Sequence, residues 1–206
     1  MKPILAALAL GALAITGCVR LAKPPIETKH YLLEARREGP PREGLPADTV
    51  NLRVASVSPG YEGQLFVIRD KDGSYRSDLG HRFLAPPKDL VEEQAKAWMG
   101  SAGFQRAVEG SKTRSTHLPY LLDIHLIRLL GDFQREPAAE VELQAVLSAW
   151  VVDDSPRRVW TLRQRVPIDR RDPALLAEGW SQALEQAFAE LEVGVSEALA
   201  EARRRE

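Results

Sequence analysis

The sequence contains a single cysteine, Cys18, among 206 residues. One cysteine cannot form an internal disulfide, and it cannot supply the several thiolates of a structural zinc site. The four histidines, His30, His81, His117 and His125, include no His-x₃-His pair, and no third ligand stands at metal spacing. We therefore predict no metal centre and no bound cofactor.

Recognised catalytic and phosphate-binding motifs are also lacking. The segment SVSPG (56–60) departs from the Gly-x-Ser-x-Gly nucleophile motif, and GSAGF (100–104) closes a predicted helix, whereas a phosphate loop opens one. The formal net charge is −1, without the basic patch of a nucleic-acid-binding protein. We predict a protein that is not an enzyme and does not bind nucleic acid. A lipid-anchored hydrolase is an alternative that the lack of a catalytic triad weakens.

Long apolar runs are missing, but a short one opens the chain. A transmembrane helix needs about 20 apolar residues, whereas the run here extends only from Ile4 to Ala14, after a positively charged start. This pattern is typical of a secretory signal peptide. The segment Ile15-Thr16-Gly17-Cys18 resembles a bacterial lipobox. An ordinary cleaved signal that happens to carry a cysteine is the alternative.

The lipobox resemblance implies covalent lipidation of Cys18. In such lipoproteins the cysteine sulfur receives a diacylglycerol, residues 1–17 are removed, and the new terminal amine gains an acyl chain such as palmitate. Cys18 is then not a catalytic thiol. Stable anchoring needs more than one acyl chain, and this modification supplies three. We predict a signal peptide over 1–17, a lipidated N-terminus and tether over 18–29, and a single domain over 30–206.

The hydrophobic pattern of that domain indicates strands and two helices. HYLLEA (30–35) and VNLRVASVS (50–58) are predicted strands, and Asp72-Gly73 predicts a hairpin turn. Pro86 and Pro87 suit the start of a helix. Three further strands are expected within 120–130, 140–153 and 158–168, followed by a long helix capped by Asp172. We predict an α+β fold with a mixed, mostly antiparallel sheet and two helices packed on one face.

Two features indicate a partner-binding surface. The apolar stripe of the last helix is longer than a small sheet can cover, so Phe188, Val195 and Leu199 are predicted to lack an intramolecular partner. Trp150 lies in register with the polar positions of the strand over 140–153, and that face becomes apolar toward its end. We expect a partner or a lipid to cover these residues.

The order of these elements resembles a known family. The lipobox, HYLLEA, LRVASVSPGY, the hairpin, HRFLAPPKDLVEEQ and YLLDIHLIRLLGDF, with a terminal helix, look like the ABC-type transport auxiliary lipoproteins (PqiC-like or YmbA-like) of Gram-negative bacteria. Phe83-Leu84-Ala85-Pro86 departs from the Trp-containing segment often found before the helix of that family.

The resemblance implies a non-enzymatic transport component. It implies a lipoprotein on the periplasmic face of the outer membrane, with a mammalian-cell-entry (MCE) domain protein and an ABC permease and ATPase as partners. Such systems move phospholipid or other hydrophobic substrates, and the lipoprotein can form homo-oligomers. Val19 is not the Asp that retains lipoproteins at the inner membrane. The alternative is a stand-alone envelope lipoprotein that binds a small hydrophobic ligand or assists envelope assembly.

Overall fold

A computed structural model describes residues 27–43, 50–104, 120–149 and 156–204. Cys18, His117 and Trp150 lie outside these residues. The elements of the described part follow one another as β1 (Lys29–Tyr31), β2 (Val50–Val57), β3 (Leu65–Arg69), β4 (Tyr75–Phe83), α1 (Pro87–Ala102), β5 (Tyr120–Asp132), β6 (Ala138–Ala149), β7 (Pro156–Pro167) and α2 (Pro173–Arg203). A short 3₁₀ turn, Pro59–Tyr61, follows β2.

The strands form one seven-stranded mixed sheet. Its order is β1-β4-β3-β5-β6-β7, and β2 pairs with β5. The ladders β3–β4, β5–β6 and β6–β7 are antiparallel, whereas β1–β4, β2–β5 and β3–β5 are parallel. Most paired residues belong to the two long antiparallel ladders of β5, β6 and β7. The predicted α+β fold with a mostly antiparallel sheet is confirmed.

Local sequence signals fix the ends of these elements. Gly73 has φ 84°, the left-handed conformation that the turn between β3 and β4 requires. Pro87 begins α1, which ends at Gly103 with φ 93°. Asp172 caps α2, because its Oδ1 accepts hydrogen bonds from the N–H groups of Ala174 and Leu175. Each of these boundaries lies where the sequence predicts it.

Helix α2 packs closely on one face of the sheet, which we call the inner face. A Cβ added at Gly179 would lie 2.8 Å from the Cβ of Ala139, and one added at Gly194 would lie 2.5 Å from Nε1 of Trp160. The glycines therefore let the helix approach β6 and β7. Trp180 is fully buried and meets Phe66 edge-on at 4.8 Å. Both helices and the inner side of the sheet share one hydrophobic core.

The prediction that the end of the last helix lacks an intramolecular partner is wrong. Phe188 and Val195 are 0 % exposed and Leu199 is 2 % exposed. The reason is geometric: the helix of 31 residues is about 46 Å long at about 1.5 Å per residue. Strands β6 and β7 have 12 residues each and extend about 40 Å. The long strands therefore extend along nearly the whole apolar stripe, and α1 also contributes, since the Trp98 ring lies 5.9 Å from that of Phe188. These three side chains belong to the core.

The predicted strand over 30–35 is only partly correct. Strand β1 ends at Tyr31, and the following residues lie against the helices instead of continuing the sheet. The N–H groups of Glu34, Ala35 and Arg36 donate to side chains of the helices, namely Ser181, Gln94 and Glu185. Strand β1 also begins one residue inside the expected tether, at Lys29.

Candidate functional site

The sheet face opposite the helices, here called the outer face, gathers polar side chains mainly from β5, β6 and β7. Gly131 faces Leu176 of α2, so the neighbouring Asp132 projects to the outer side. The ladders then place the outer positions of β5, β6 and β7 in rows across the sheet. The rows are Asp123, Val146 and Val159; His125, Gln144 and Thr161; Arg128, Glu142 and Arg163; and Glu140 and Arg165.

One end of the outer face is strongly charged. Arg163 Nε donates to Glu142 Oε1 at 2.9 Å, and Arg128 Nη1 donates to Glu140 Oε2 at 3.4 Å. Arg165 Nη1 lies 3.5 Å from both Glu140 and Asp132. These cross-strand pairs orient the guanidinium groups, but each arginine keeps a large exposed fraction. The charged end can therefore bind a polar partner without first breaking a buried contact.

The charged end contains a shallow groove of about 160 Å³, lined mainly by Arg128, Glu140, Glu142, Arg163 and Arg165. Pockets for drug-sized ligands usually measure about 300–1,000 Å³ and are mostly apolar. The groove is smaller and its walls carry both charges. It suits a polar side chain of a protein partner better than the tail of a lipid.

Asp132 is a buried carboxylate at this charged end. Arg69 Nε donates to its Oδ1 at 3.0 Å, and the N–H of Gln134 donates to the same oxygen at 3.0 Å. The hydrogen bonds from Arg69, opposed by burial, hold the pKa of Asp132 below its ordinary value. Asp132 is therefore ionised at neutral pH. Its ion pair with Arg69 links β5 to β3.

Two tyrosines complete the charged end. Burial raises the pKa of Tyr61, which also interacts with Arg128. Tyr75 is directly opposite Arg69 in the β3–β4 ladder, and its side chain is more than half exposed. Tyrosine and arginine are enriched among the residues that contribute most to protein–protein binding. This end therefore carries two of the residue types that binding surfaces favour.

The middle of the outer face brings together Ser56 and His125. Ser56 Oγ lies 2.7 Å from His125 Nδ1, across the parallel β2–β5 ladder. The neighbouring carboxylate, Asp123, binds Arg53 at 2.5 Å. This Ser–His contact could not be foreseen, because the two residues are 69 positions apart. Ser56 lies within strand β2 on the open sheet surface. The nucleophilic serine of an α/β-hydrolase lies instead in a sharp turn between a strand and a helix.

The other end of the outer face mixes apolar and polar side chains. Val146 and Val159 are directly opposite one another, and Val159 is about half exposed. Asp123 is opposite Val146 on β5, and Ser148 follows on the same side of β6. The predicted change of this face toward an apolar end therefore stays a prediction beyond Val146. Trp150 follows β6 by one residue but lies outside the described residues, so its predicted binding role stays a prediction.

A second polar cluster lies inside the molecule, between the helices. Glu192 is buried on the inner side of α2 and accepts hydrogen bonds from Arg37, Arg42 and Trp98. Arg37 bonds both carboxylate oxygens, at 2.9 and 3.0 Å. The bonds attach the segment after β1 to both helices. Glu192 was not predicted from the sequence, although a glutamate within the apolar stripe of α2 was an available signal.

The pKa of Glu192 reflects this environment. Burial raises the pKa of its carboxyl group, but the hydrogen bonds from Arg37, Arg42 and Trp98 outweigh burial and leave the pKa below its ordinary value. Glu192 is therefore ionised at neutral pH. With two arginines and an indole N–H around it, the carboxylate is fully occupied by internal partners, which makes it a structural group.

The predicted site residues thus have different outcomes. Phe188, Val195 and Leu199 belong to the core and do not form an exposed surface. Cys18 lies outside the described residues, so its lipidation stays a prediction. Among the described residues, no three histidine, cysteine or acidic side chains are grouped as metal ligands. None of the helices in that part of the chain is long and apolar enough to cross a membrane.

Comparison with known proteins shows the fold. No protein-family model matches the chain, and no curated protein matches it. The crystal structure of protein XCC0632 from Xanthomonas campestris, described with the family designation DUF330, has a TM-score of 0.72 and 22 % identity, covering 86 % of this chain and 99 % of that one. The crystal structure of an uncharacterized protein has a TM-score of 0.60 and 11 % identity, covering 82 % and 99 %. The chain therefore shares its fold with these proteins.

Proposed function

We propose that this chain is a non-enzymatic lipoprotein, anchored to the outer membrane through Cys18, that serves an MCE and ABC-type transport system. Its diacylglycerol and acyl chain hold it at the periplasmic face, and its outer sheet face binds the MCE-domain protein. The system moves phospholipid or another hydrophobic substrate through the envelope. The role of the chain is to bind and position, without a cofactor.

The outer face is the observation that carries this proposal. Four strands spaced about 4.8 Å apart, with about 3.3 Å per residue, give roughly 700–800 Å² over the length of β6. A stable protein–protein interface of standard size buries about 800 Å² on each partner. Helix α2 packs on the inner face, against Ala139 and Trp160, and α1 shares the same core, so neither described helix covers this area. Its charged, tyrosine-containing end and the exposed Val159 at its other end supply polar and apolar components of such an interface.

The alternative of a stand-alone lipoprotein that binds a hydrophobic ligand receives less support. The groove on the outer face is lined by three arginines and two glutamates, which would have to be desolvated to accept an acyl chain. Such walls favour a polar partner.

We predict that Cys18→Ala abolishes the membrane attachment, because the acyl chains supply the strong membrane affinity in this proposal. Metabolic labelling with palmitate and fractionation of the membranes measure the effect in the full chain. We expect label and membrane association in the natural chain, and neither in the variant. Cys18→Ser serves as the isosteric companion. Palmitate retained by either variant would contradict lipidation at Cys18.

We predict that Arg163→Glu weakens binding to the MCE-domain protein by about tenfold or more, since arginines at interface centres contribute about 2 kcal/mol or more. The side chain of Arg163 is 72 % exposed, so the new repulsion with Glu142 should lower the stability of the fold by no more than about 1 kcal/mol. Arg36→Glu is the matched control, because Arg36 is 82 % exposed, also pairs with a glutamate, and lies on the helix side. Equal affinity of both variants in calorimetric titrations would exclude the charged end as the docking surface.

A further inference from the structure

Two exposed leucines lie side by side where β1 and β4 end. Tyr31 and Phe83 are the last paired residues of this parallel ladder, and the N–H of Leu84 donates to the carbonyl of Tyr31 at 2.8 Å. Leu32 and Leu84 are the first residues after the two strands, so their backbones are neighbours. Leu32 is 47 % exposed and Leu84 is 58 % exposed. We call this pair the leucine patch.

The leucine patch lies close to the predicted lipid anchor. Only residues 19–26 separate Cys18 from the first described residue, Glu27. A fully extended segment of this length reaches about 30 Å at most, and Leu32 follows Glu27 by a few residues. The β1 edge is therefore the part of the described domain that is nearest in sequence to any lipid attached to Cys18.

The position of the patch in the sheet is compatible with the proposed docking surface. Strand β1 is at one edge of the sheet and β7 is at the other, with β4, β3, β5 and β6 between them. Five strand spacings of about 4.8 Å separate the two edges by roughly 24 Å. A domain that rests on the membrane through its β1 edge therefore leaves β6 and β7 accessible to a protein partner.

The charges around the patch are mixed. Lys29 and Lys88 are exposed there, but so are Glu27 and Glu34. Attraction to anionic headgroups is therefore weak, and apolar contact with the interfacial region of the bilayer is the main interaction available to two exposed leucines. This favours a lipid surface over a charged protein as the occupant, and it predicts little dependence on salt.

We propose that Leu32 and Leu84 insert into the interfacial region of the membrane and orient the anchored domain with its β1 edge toward the bilayer. This inference rests on the proposed anchoring through Cys18. The acyl chains supply the affinity, and the leucine patch fixes the orientation. The outer part of β6 and β7 then faces away from the bilayer, toward the space in which a periplasmic partner is found.

Site-specific fluorescence in the full lipidated chain tests this orientation. Because Cys18 is the only cysteine, its acylation leaves no free thiol, and Leu84→Cys then carries one environment-sensitive NBD dye. The protein is reconstituted in vesicles of phosphatidylethanolamine and phosphatidylglycerol. Val193→Cys is the matched control, because Val193 is 44 % exposed on α2. We expect blue-shifted, several-fold brighter emission at position 84, quenching by nitroxide-labelled lipid, and insensitivity to salt. The control should behave as in water.

The outcomes separate the two proposals. Dye incorporated into the natural chain would reveal a free thiol at Cys18, and it would overturn the anchor and with it the orientation. An unlabelled natural chain with equal, water-like emission at positions 84 and 193 would overturn the leucine patch alone. A blue shift that needs no vesicles and grows with protein concentration would mean that a second copy covers the patch, which also overturns the proposal.

Discussion

Glu192→Gln lowers the free energy of unfolding by about 3–5 kcal/mol, the usual effect of removing one partner of a buried ion pair. The amide keeps the size of the side chain but removes its charge, and the guanidinium of Arg37 is left buried without a counter-charge. The side chain of Arg37 is only 8 % exposed. Such a loss is a large part of the 5–15 kcal/mol that stabilises a typical domain. Urea unfolding followed by circular dichroism measures the change.

Two controls identify the cause. Glu190→Gln removes an exposed carboxylate that receives one hydrogen bond from Gln164, and it should change stability by less than about 0.5 kcal/mol. Because the folded pKa of Glu192 is lowered, its stabilising contribution is present above the ordinary pKa and is lost as the pH falls through the folded value. The natural chain and Glu192→Gln should therefore converge in stability at acidic pH. A difference that persists there would refute the ionic explanation.

Val195→Glu combined with Leu199→Glu unfolds the domain. Both side chains are buried in the core under the sheet, and a carboxylate without a partner in such surroundings costs several kcal/mol. Two of them should exceed the stability of the domain. Far-UV circular dichroism and limited proteolysis measure the loss of structure. Val193→Glu, on the exposed side of the same helix, should leave the chain folded.

The double variant distinguishes the core assignment from an interface. A folded, monomeric protein that lost only its ability to bind a partner would mean that this end of α2 is a surface, contrary to its burial. A folded protein with unchanged binding would mean that the end of the helix is exposed to solvent. Either result would contradict the packing of Val195 and Leu199 under β7.

Much of the fold could be predicted because its signals are local. Asp72-Gly73 specifies a turn by backbone conformation, and Asp172-Pro173 specifies a helix start by capping. Strands β5 to β7 alternate between a core side and a polar side, so their inner residues could be predicted from the period of two. Trp98 and Trp180 are in the core, as their positions on apolar stripes predict.

The errors concern contacts between distant segments. Leu33 and Ala35 alternate as they would in a strand, but helix side chains receive the neighbouring N–H groups. The sequence does not reveal that the long strands extend under the end of α2. Glu192 likewise resembles a solvated residue until Arg37, 155 positions away, is placed beside it.

The outer face was predicted only as an alternation of polar residues. Its rows depend on strand register, which the ladders set and which a shift of one residue would invert. The meeting of Arg128, Glu142 and Arg163 therefore becomes visible only in the sheet. The alternation itself, with Glu140, Glu142 and Gln144 on the polar side of β6, is the part that the sequence does predict.

Photo-crosslinking at position 163 shows directly whether the outer face contacts the MCE-domain protein. A photoreactive amino acid replaces Arg163 in the full-length chain, expressed in Gram-negative cells that also express the associated MCE and ABC transport genes, and mass spectrometry identifies the cross-linked peptides. The same amino acid at position 36 on the helix side is the control. We expect cross-linked peptides of the MCE-domain protein from position 163 and none from position 36. Cross-links from position 163 only to lipid or to a second copy of this chain would contradict it.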